Sequence, residues 1–409
     1  MKIAMMTNNY KPFVAGVPIS IERLAQSLKE QGHEVVVFAP SYDGQQEESD
    51  VVRYKALLKG VAGGFSVPDS LDRRIEHKFR EGNFDLIHVH HPMLIGRTAL
   101  YLSRKYQVPL VFTYHTRYEQ YLHYIGLSKL KNVIPAYIRS YTRGCDMVLA
   151  PTPLMKNYLQ QLWPGTEVEV LPTGLPESSF HPDEERARAL RKELTGDKKY
   201  LFCTVARLAM EKNLIFLLRC MKLYKEVQGD NFRLALIGDG PQRRELEKRA
   251  AEFGLEKEVV FVGKVPNAEI KNYCHAADLF LFPSLTETQG IVLLESMAAG
   301  TPVLALKATG TMDVVVNGKN GYMINLWENM GMSDAAEPEF TNKLMDILEK
   351  KELTILRQGA LETARNYSCE RVARKAMAAY IQAAEIRREK ERLKYHGKNG
   401  KRDGNMVYS

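Results

Sequence analysis

In the first third of the chain, short apolar runs alternate with segments whose apolar positions recur every three or four residues. The runs are "KIAMMT", "EVVVFAP", "DLIHVHH", "PLVFTYH" and "DMVLAPT". Each has the length and side-chain type of a buried strand. Between them lie "PISIERLAQSLKEQGH", "IGRTALYLSRKY" and "PLMKNYLQQL". In the first of these, Ile19, Ile21, Leu24, Ala25 and Leu28 share one helical face, with Pro18 near its start and Gly32 at its end. Strands that read as continuous apolar runs are covered on both faces. The alternation therefore predicts a parallel sheet flanked by helices.

The second half repeats the theme. "YLFCTVA", "FRLALIG", "EVVFVG", "DLFLFPS" and "TPVLAL" read as strands, separated by "EKNLIFLLRCMKLYKEV", "PQRRELEKRAAEFG" and "GIVLLESMAAG" as helices. The stretch "LPTGLPESSFHPDEE", residues 171–185, holds Pro172, Gly174, Pro176 and Pro182 and marks a connection between the halves. "CERVARKAMAAYIQAAEIRREKERL" predicts one long final helix. The expected fold class is α/β, with two doubly wound Rossmann-like domains facing across a cleft. In such sheets ligands bind beyond the carboxyl ends of the strands. The loops to examine are Asn8–Gly16, His90 and His91, His115, Arg207–Lys212, Gly238–Gly240 and Glu287–Gly290.

No apolar run reaches the ~18 residues of a membrane span. "MKIAMMTNNYKPF" reads as a first strand rather than a signal peptide. The five cysteines are scattered without a CxxC pair, which argues against a disulfide framework or a zinc site and for a reducing cytoplasm. The net charge is +8, and residues 387–402 hold eight Lys or Arg against two Glu. Such a tail is either a solvated end or a contact to an anionic surface.

Arg207 follows a predicted strand and Lys212 precedes a predicted helix, an arrangement suited to a diphosphate or to a surface loop with scattered charges. "LIGDGP" offers Gly238 and Gly240, but position 243, where a dinucleotide fingerprint needs a third Gly, is Arg. A tight turn near a nucleotide is expected there instead. Glu287 lies in a loop and Glu295 about a turn and a half into the next helix. Carboxylates grip paired hydroxyls, and a nucleotide sugar carries such pairs on its sugar and on its ribose. By spacing alone Glu295 reads either this way or as an exposed helix carboxylate.

The E-x7-E of "ETQGIVLLE" followed by small residues and "GTPV", together with "GHEVVVFAP", "FDLIHVHHP", "VFTYHT", "LPTGLPESSF", "VARLAMEKN" and "TGTMDVVVNGKNGYMI", resembles retaining glycosyltransferases of family 4. The resemblance covers nearly the whole chain. It implies the GT-B fold, with residues 1–175 as the acceptor-side domain and 176–369 as the nucleotide-sugar domain. Residues 370–390 become a helix crossing back to the first domain, and 391–409 a disordered basic tail. It places Glu287 on the donor sugar, Glu295 on the ribose, Arg207 and Lys212 on the diphosphate, and His115 near the reacting centre. Gly16, Gly238, Val265, Thr288, Gln289, Gly290 and Ile291 are the further donor contacts. The family's N-terminal loop usually carries Gly-Gly, whereas Ala15 precedes Gly16 here. That loop, with "FTYHTRYEQYLHYI", looks most like the branch that glucosylates diacylglycerol.

A lipid acceptor has its own signal. Residues 117–143 interleave Arg or Lys at 117, 129, 131, 139 and 143 with Tyr118, Tyr121, Tyr124, Tyr137 and Tyr141. The pattern fits either a segment in a membrane interface or a pair of core helices. Tyr10, His90, Tyr118, Tyr121, Lys129 and Lys131 are the expected acceptor or membrane contacts. Nucleic acid fits poorly, since no nucleic-acid module surrounds the tyrosines. No metal clamp is expected, because no Asp-x-Asp occurs. The expected enzyme takes a hexose from UDP-glucose, needs no cofactor, and works from the cytoplasmic face of an anionic membrane. A soluble acceptor, a sugar-nucleotide epimerase on the same fold and a non-catalytic binding module are the alternatives.

Overall fold

A computed structural model of the chain describes residues 1–13, 15–45, 47–61, 65–115, 133–285, 287–325 and 336–399. Two compact units emerge: Met1–Gly174 joined by the chain from Glu370 onward, and Leu175–Cys369.

The first unit contains β1 (Lys2–Met6), β2 (Glu34–Pro40), β3 (Val51–Tyr54), β4 (Ala56–Val61), β5 (Phe65–Pro68), β6 (Leu86–Val89), β7 (Leu110–Thr113), β8 (Met147–Ala150) and β9 (Val168–Val170). Seven of these form a parallel sheet in the order β3-β2-β1-β6-β7-β8-β9, while β4 and β5 make a separate antiparallel hairpin. Successive residues of a strand face opposite sides, and both sides are buried. Ile3, Met5, Leu86, Val111 and Leu149 pack on one face and Ala4, Met6, Ile87, Phe112 and Val148 on the other. That is why the strands read as unbroken apolar runs. β3, β4, β5 and β9 escaped the sequence pattern because they are short or carry charges.

The second unit contains β10 (Tyr200–Val205), β11 (Phe232–Ile237), β12 (Val259–Gly263), β13 (Leu279–Phe282), β14 (Val303–Leu306) and β15 (Gly321–Ile324). They form a parallel sheet in the order β12-β11-β10-β13-β14-β15. Both sheets reverse direction beside their first strand, at β1/β6 and at β10/β13. Loops at such reversals diverge and leave a crevice at the strand ends.

The last helix, Cys369–Asn399, returns to the first unit. Val372, Ala373, Ala376, Tyr380 and Ala383 recur at three- and four-residue spacing and pack into that unit's core. Further along, Lys390 Nζ lies 3.1 Å from the buried carboxylate of Asp146, and Arg387 donates to the Ser103 carbonyl at 3.1 Å. The helix thus continues through residues 391–399, where the sequence reading begins a disordered tail. Arg387 and Lys390, just before it and among the eight cations of residues 387–402, are bonded within the unit rather than displayed.

Residues 133–142 form a helix in the segment that reads either as interfacial or as a pair of core helices. Tyr141 and Ile138 are buried, and the hydroxyls of Tyr137 and Tyr141 donate to the carbonyls of Pro92 at 2.8 Å and Gly96 at 3.1 Å. Apolar rings with a satisfied hydroxyl suit a core as well as a membrane interface, and these two serve the core. Tyr118, Tyr121, Lys129 and Lys131 lie outside the described residues.

Candidate active site

In the second unit the loops after β10 and β13 meet. The loop after β10 carries Arg207, which is exposed with no ion pair among the described residues, then a 3-10 turn, Met210–Lys212, and the helix Leu214–Gln228. Lys212 therefore sits in the turn before the helix. Its ammonium is paired with the carboxylate of Glu287, which follows β13. Each side chain is about a fifth exposed, 21% and 23%. Asn213 Nδ2 donates to the Pro283 carbonyl at 3.2 Å and Ser284 Oγ to the Glu211 carbonyl at 3.3 Å. Three contacts thus join the two loops at the sheet's reversal point.

Glycines shape this region. Gly290 adopts φ +65° and caps the helix Ile291–Ala298, whose first N–H groups are available to an anion. A Cβ on Gly310 would stand 2.6 Å from Glu287 Cβ and 2.8 Å from its carbonyl oxygen. Gly310 is thus the floor beneath Glu287, a role with no local sequence signal. Gly238, at φ +129°, lies so close to the loop after β10 that a Cβ would meet the Ala206 carbonyl oxygen at 2.0 Å. Its glycine requirement is explained by this backbone approach, which also sets the Arg207 loop. Gln289 is buried, Glu295 and Ile291 are half-buried on the helix, and Val265 packs on the unit's core.

The first unit gathers histidines at the ends of β6 and β7. His88 is held at both nitrogens, by Tyr380 Oη at 2.7 Å and Thr113 Oγ1 at 2.6 Å. His90 Nδ1 lies 2.9 Å from His115 Nε2, and their rings are nearly parallel at 25°. His91 Nδ1 accepts from the Asn8 amide at 3.2 Å. His90 and His115 line a small pocket with Ser20 and Thr173. Gly16 opens the helix Gly16–Glu30 in the neighbouring loop. Tyr10 is 3% exposed and packs in the core, so packing rather than membrane contact accounts for its ring. Its phenol is pushed up to about 12, chiefly by burial. His88 and Tyr380 had no part in the sequence reading, because the two residues lie 292 positions apart.

Two family profiles match this chain: "Glycosyltransferase Family 4" over residues 14–178 and "Glycosyl transferases group 1" over residues 185–331. The alpha-monoglucosyldiacylglycerol synthase of Streptococcus pneumoniae is 31% identical over 75% of this chain and 71% of its own length. The enzyme of the same name from Acholeplasma laidlawii is 30% identical over 81% and 86%. The chain belongs to glycosyltransferase family 4. A GDP-mannose-dependent alpha-mannosyltransferase of Corynebacterium glutamicum is 26% identical over 80% of this chain and 77% of its own. Among solved structures, Anabaena HepE in complex with UDP matches with a TM-score of 0.72 at 18% identity, covering 93% of this chain and 99% of that one. The fold of this family 4 enzyme is therefore GT-B.

Burial keeps the transferase's histidine cluster neutral. It pulls His88 down to about 3 and His91 to about 4. Burial and then neighbouring imidazoles hold His90 and His115 well below the ordinary range. In the unfolded chain these groups take up protons near pH ~6.5. Below that value the unfolded state binds more protons than the folded one, so stability falls as pH falls. The window runs from about 6.5 down to about 4, with a slope of up to ~1.4 kcal/mol per pH unit for each histidine. Urea midpoints should therefore drop between pH ~7.5 and ~5, and less steeply in His91→Asn, which keeps an acceptor for the Asn8 amide. Identical slopes in the two proteins would refute this account of His91.

Proposed function

We propose that this family 4 glycosyltransferase transfers glucose, with retention, from UDP-glucose to diacylglycerol at an anionic membrane surface on the cytoplasmic side. The observation that carries the acceptor is the similarity, at 30–31% identity, to two enzymes named for that glycolipid. The donor has support from HepE, which was also solved with UDP-glucose. The GDP-mannose-dependent relative favours a second reading, GDP-mannose as donor.

In the proposed mechanism Arg207, Lys212 and the amides around Gly290 bind the diphosphate and stabilise its charge as it departs. Gly16, with no side chain, allows its backbone to approach the phosphate closely. Glu287 holds the transferred sugar, the amides from Thr288 through Gln289 to Ile291 face the diphosphate, and Glu295 holds the ribose. His115 lies against the sugar. The departing phosphate oxygen takes the acceptor's proton on the face from which the acceptor attacks, so configuration is kept without a protein nucleophile. Gly238 and Val265 support the donor pocket through the backbone and the core.

A donor screen against diacylglycerol and soluble sugars, with mass spectrometry of the products, tests this reading. Glucosyl-diacylglycerol from UDP-glucose is expected. A soluble glycoside as the only product would overturn the acceptor, and a mannosylated lipid the donor. Incubating donor alone tests for an epimer.

Membrane contact has physical support of its own. No helix among the described residues is long and apolar enough to cross a membrane. However, Leu57, Leu58 and Leu71 are 59%, 60% and 87% exposed, and the exposed Arg73 follows Leu71 by two positions. Apolar side chains beside cations suit an anionic interface, each cation contributing about 1 kcal/mol at low salt. Sedimentation with vesicles should rise with their anionic fraction and fall as salt rises. Leu57→Ser with Leu58→Ser should reduce the salt-resistant part. Protein that stays in the supernatant with strongly anionic vesicles at low salt would refute membrane docking.

A further inference from the structure

Leu94 has a backbone conformation that leucine seldom takes, with φ +56° and ψ −104°. The Gly96 amide donates to the Met93 carbonyl at 3.2 Å and closes a four-residue turn over 93–96. A positive φ with a negative ψ at the second residue of such a turn is the II′ geometry, whose usual occupant there is glycine. A side chain held in a sparsely populated conformation persists only where its surroundings impose it.

The surroundings do so from two sides. Asn8, 6% exposed in the loop after β1, donates from Nδ2 to the Met93 carbonyl at 3.1 Å and accepts at Oδ1 from the Ile95 amide at 3.2 Å. It thus grips the turn on either side of Leu94. The hydroxyls of Tyr137 and Tyr141, on the helix Val133–Thr142, hold the carbonyls of Pro92 and Gly96. Gly96 itself packs on backbone, since a Cβ there would stand 2.4 Å from the His91 carbonyl oxygen.

The side chain so held is not given to the core. Leu94 is 39% exposed, on the loop after β6, at the reversal of the first unit's sheet where ligands bind. Glycine would fit the turn without strain, so the apolar side chain has a use of its own. It offers nothing to a hydroxyl or a phosphate. UDP-glucose presents hydroxyls, phosphates and a polar base, whereas diacylglycerol presents hydrocarbon. Resting on the reading of diacylglycerol as the acceptor, we infer that Leu94 is a specificity-determining residue that holds an acyl chain of the acceptor against the first unit. Asn8, Tyr137 and Tyr141 fix its place.

Steady-state kinetics with dioleoylglycerol in mixed micelles, beside calorimetry with UDP, test this. Leu94→Asn suits the turn and removes the apolar group. Its KM for dioleoylglycerol should rise about tenfold, with kcat and the Kd for UDP within about twofold of wild type, the mark of lost uniform binding. Leu94→Met suits the turn no better than leucine but keeps an apolar side chain, so its KM should stay within about threefold. A leucine that served only the turn would give the reverse order. Should Leu94→Asn fail to fold, Leu94→Gly removes the same group with the residue the turn favours. An unchanged KM in the folded variant, or an equal rise in Leu94→Met, would overturn the role of Leu94. A wild-type enzyme that glucosylates soluble sugars and not dioleoylglycerol would instead overturn the acceptor reading, and this inference with it.

Discussion

Lys212→Ala is expected to weaken UDP binding by about 2–3 kcal/mol, roughly 30- to 150-fold in Kd, while leaving uridine within about threefold. Two effects add. The diphosphate loses a fixed cation, and the Glu287 carboxylate loses its ion-pair partner and repels the ligand. Truncating one partner of a fully buried charge pair costs 2–5 kcal/mol or more. The lower part of that range applies because both side chains are about a fifth exposed. Arg207→Ala should cost less, about 1 kcal/mol, because Arg207 is exposed and leaves no charge stranded. Glu287→Ala should move binding the other way. It frees Lys212 for the diphosphate, so UDP affinity holds or rises, while turnover of UDP-glucose falls about a hundredfold with the lost sugar contact. Titration calorimetry with UDP and with uridine separates these outcomes. Equal losses for both ligands in Lys212→Ala would remove Lys212 from the diphosphate site.

Gly238→Ala should be the most damaging small substitution near this site. The backbone there has φ +129°, which disfavours any side chain, and the new Cβ would meet the Ala206 carbonyl oxygen at 2.0 Å. Strain in such a conformation costs about 1–3 kcal/mol, and overpacking against backbone adds a similar amount. In a unit of this size the sum corresponds to a fall in Tm of roughly 10 °C. Gly229→Ala is the control. Its φ is also positive, at +76°, but nothing lies within 4 Å of the added carbon, so only the conformational cost of about 1–3 kcal/mol remains, without the overpacking. Gly238→Ala should also weaken UDP binding, because the displaced Ala206 carries Arg207 with it. Scanning calorimetry of the two variants decides. Equal melting temperatures would mean that the close approach at Ala206 has no energetic weight.

The two parallel sheets, most of their helices, and the family were legible in the sequence. Each depends on residues near one another in the chain. Helical faces repeat over three or four positions, buried parallel strands form apolar runs, and "ETQGIVLLE" places Glu287, Gly290 and Glu295 around one helix start. Which of these residues meet depends on how the strands and helices pack. Lys212 and Glu287 are 75 positions apart and pair because β10 and β13 are neighbours at the sheet's reversal. Gly310 reads as one more turn glycine until Glu287 is seen resting on it. His88 and Tyr380 meet because the last helix packs on the first unit. The same limit explains the tyrosines. Tyr10, Tyr137 and Tyr141 carry the amphipathic ring that suits a membrane interface, yet they pack within the first unit. Burial of a ring with one polar atom is a property of its surroundings, and those surroundings come from distant parts of the chain.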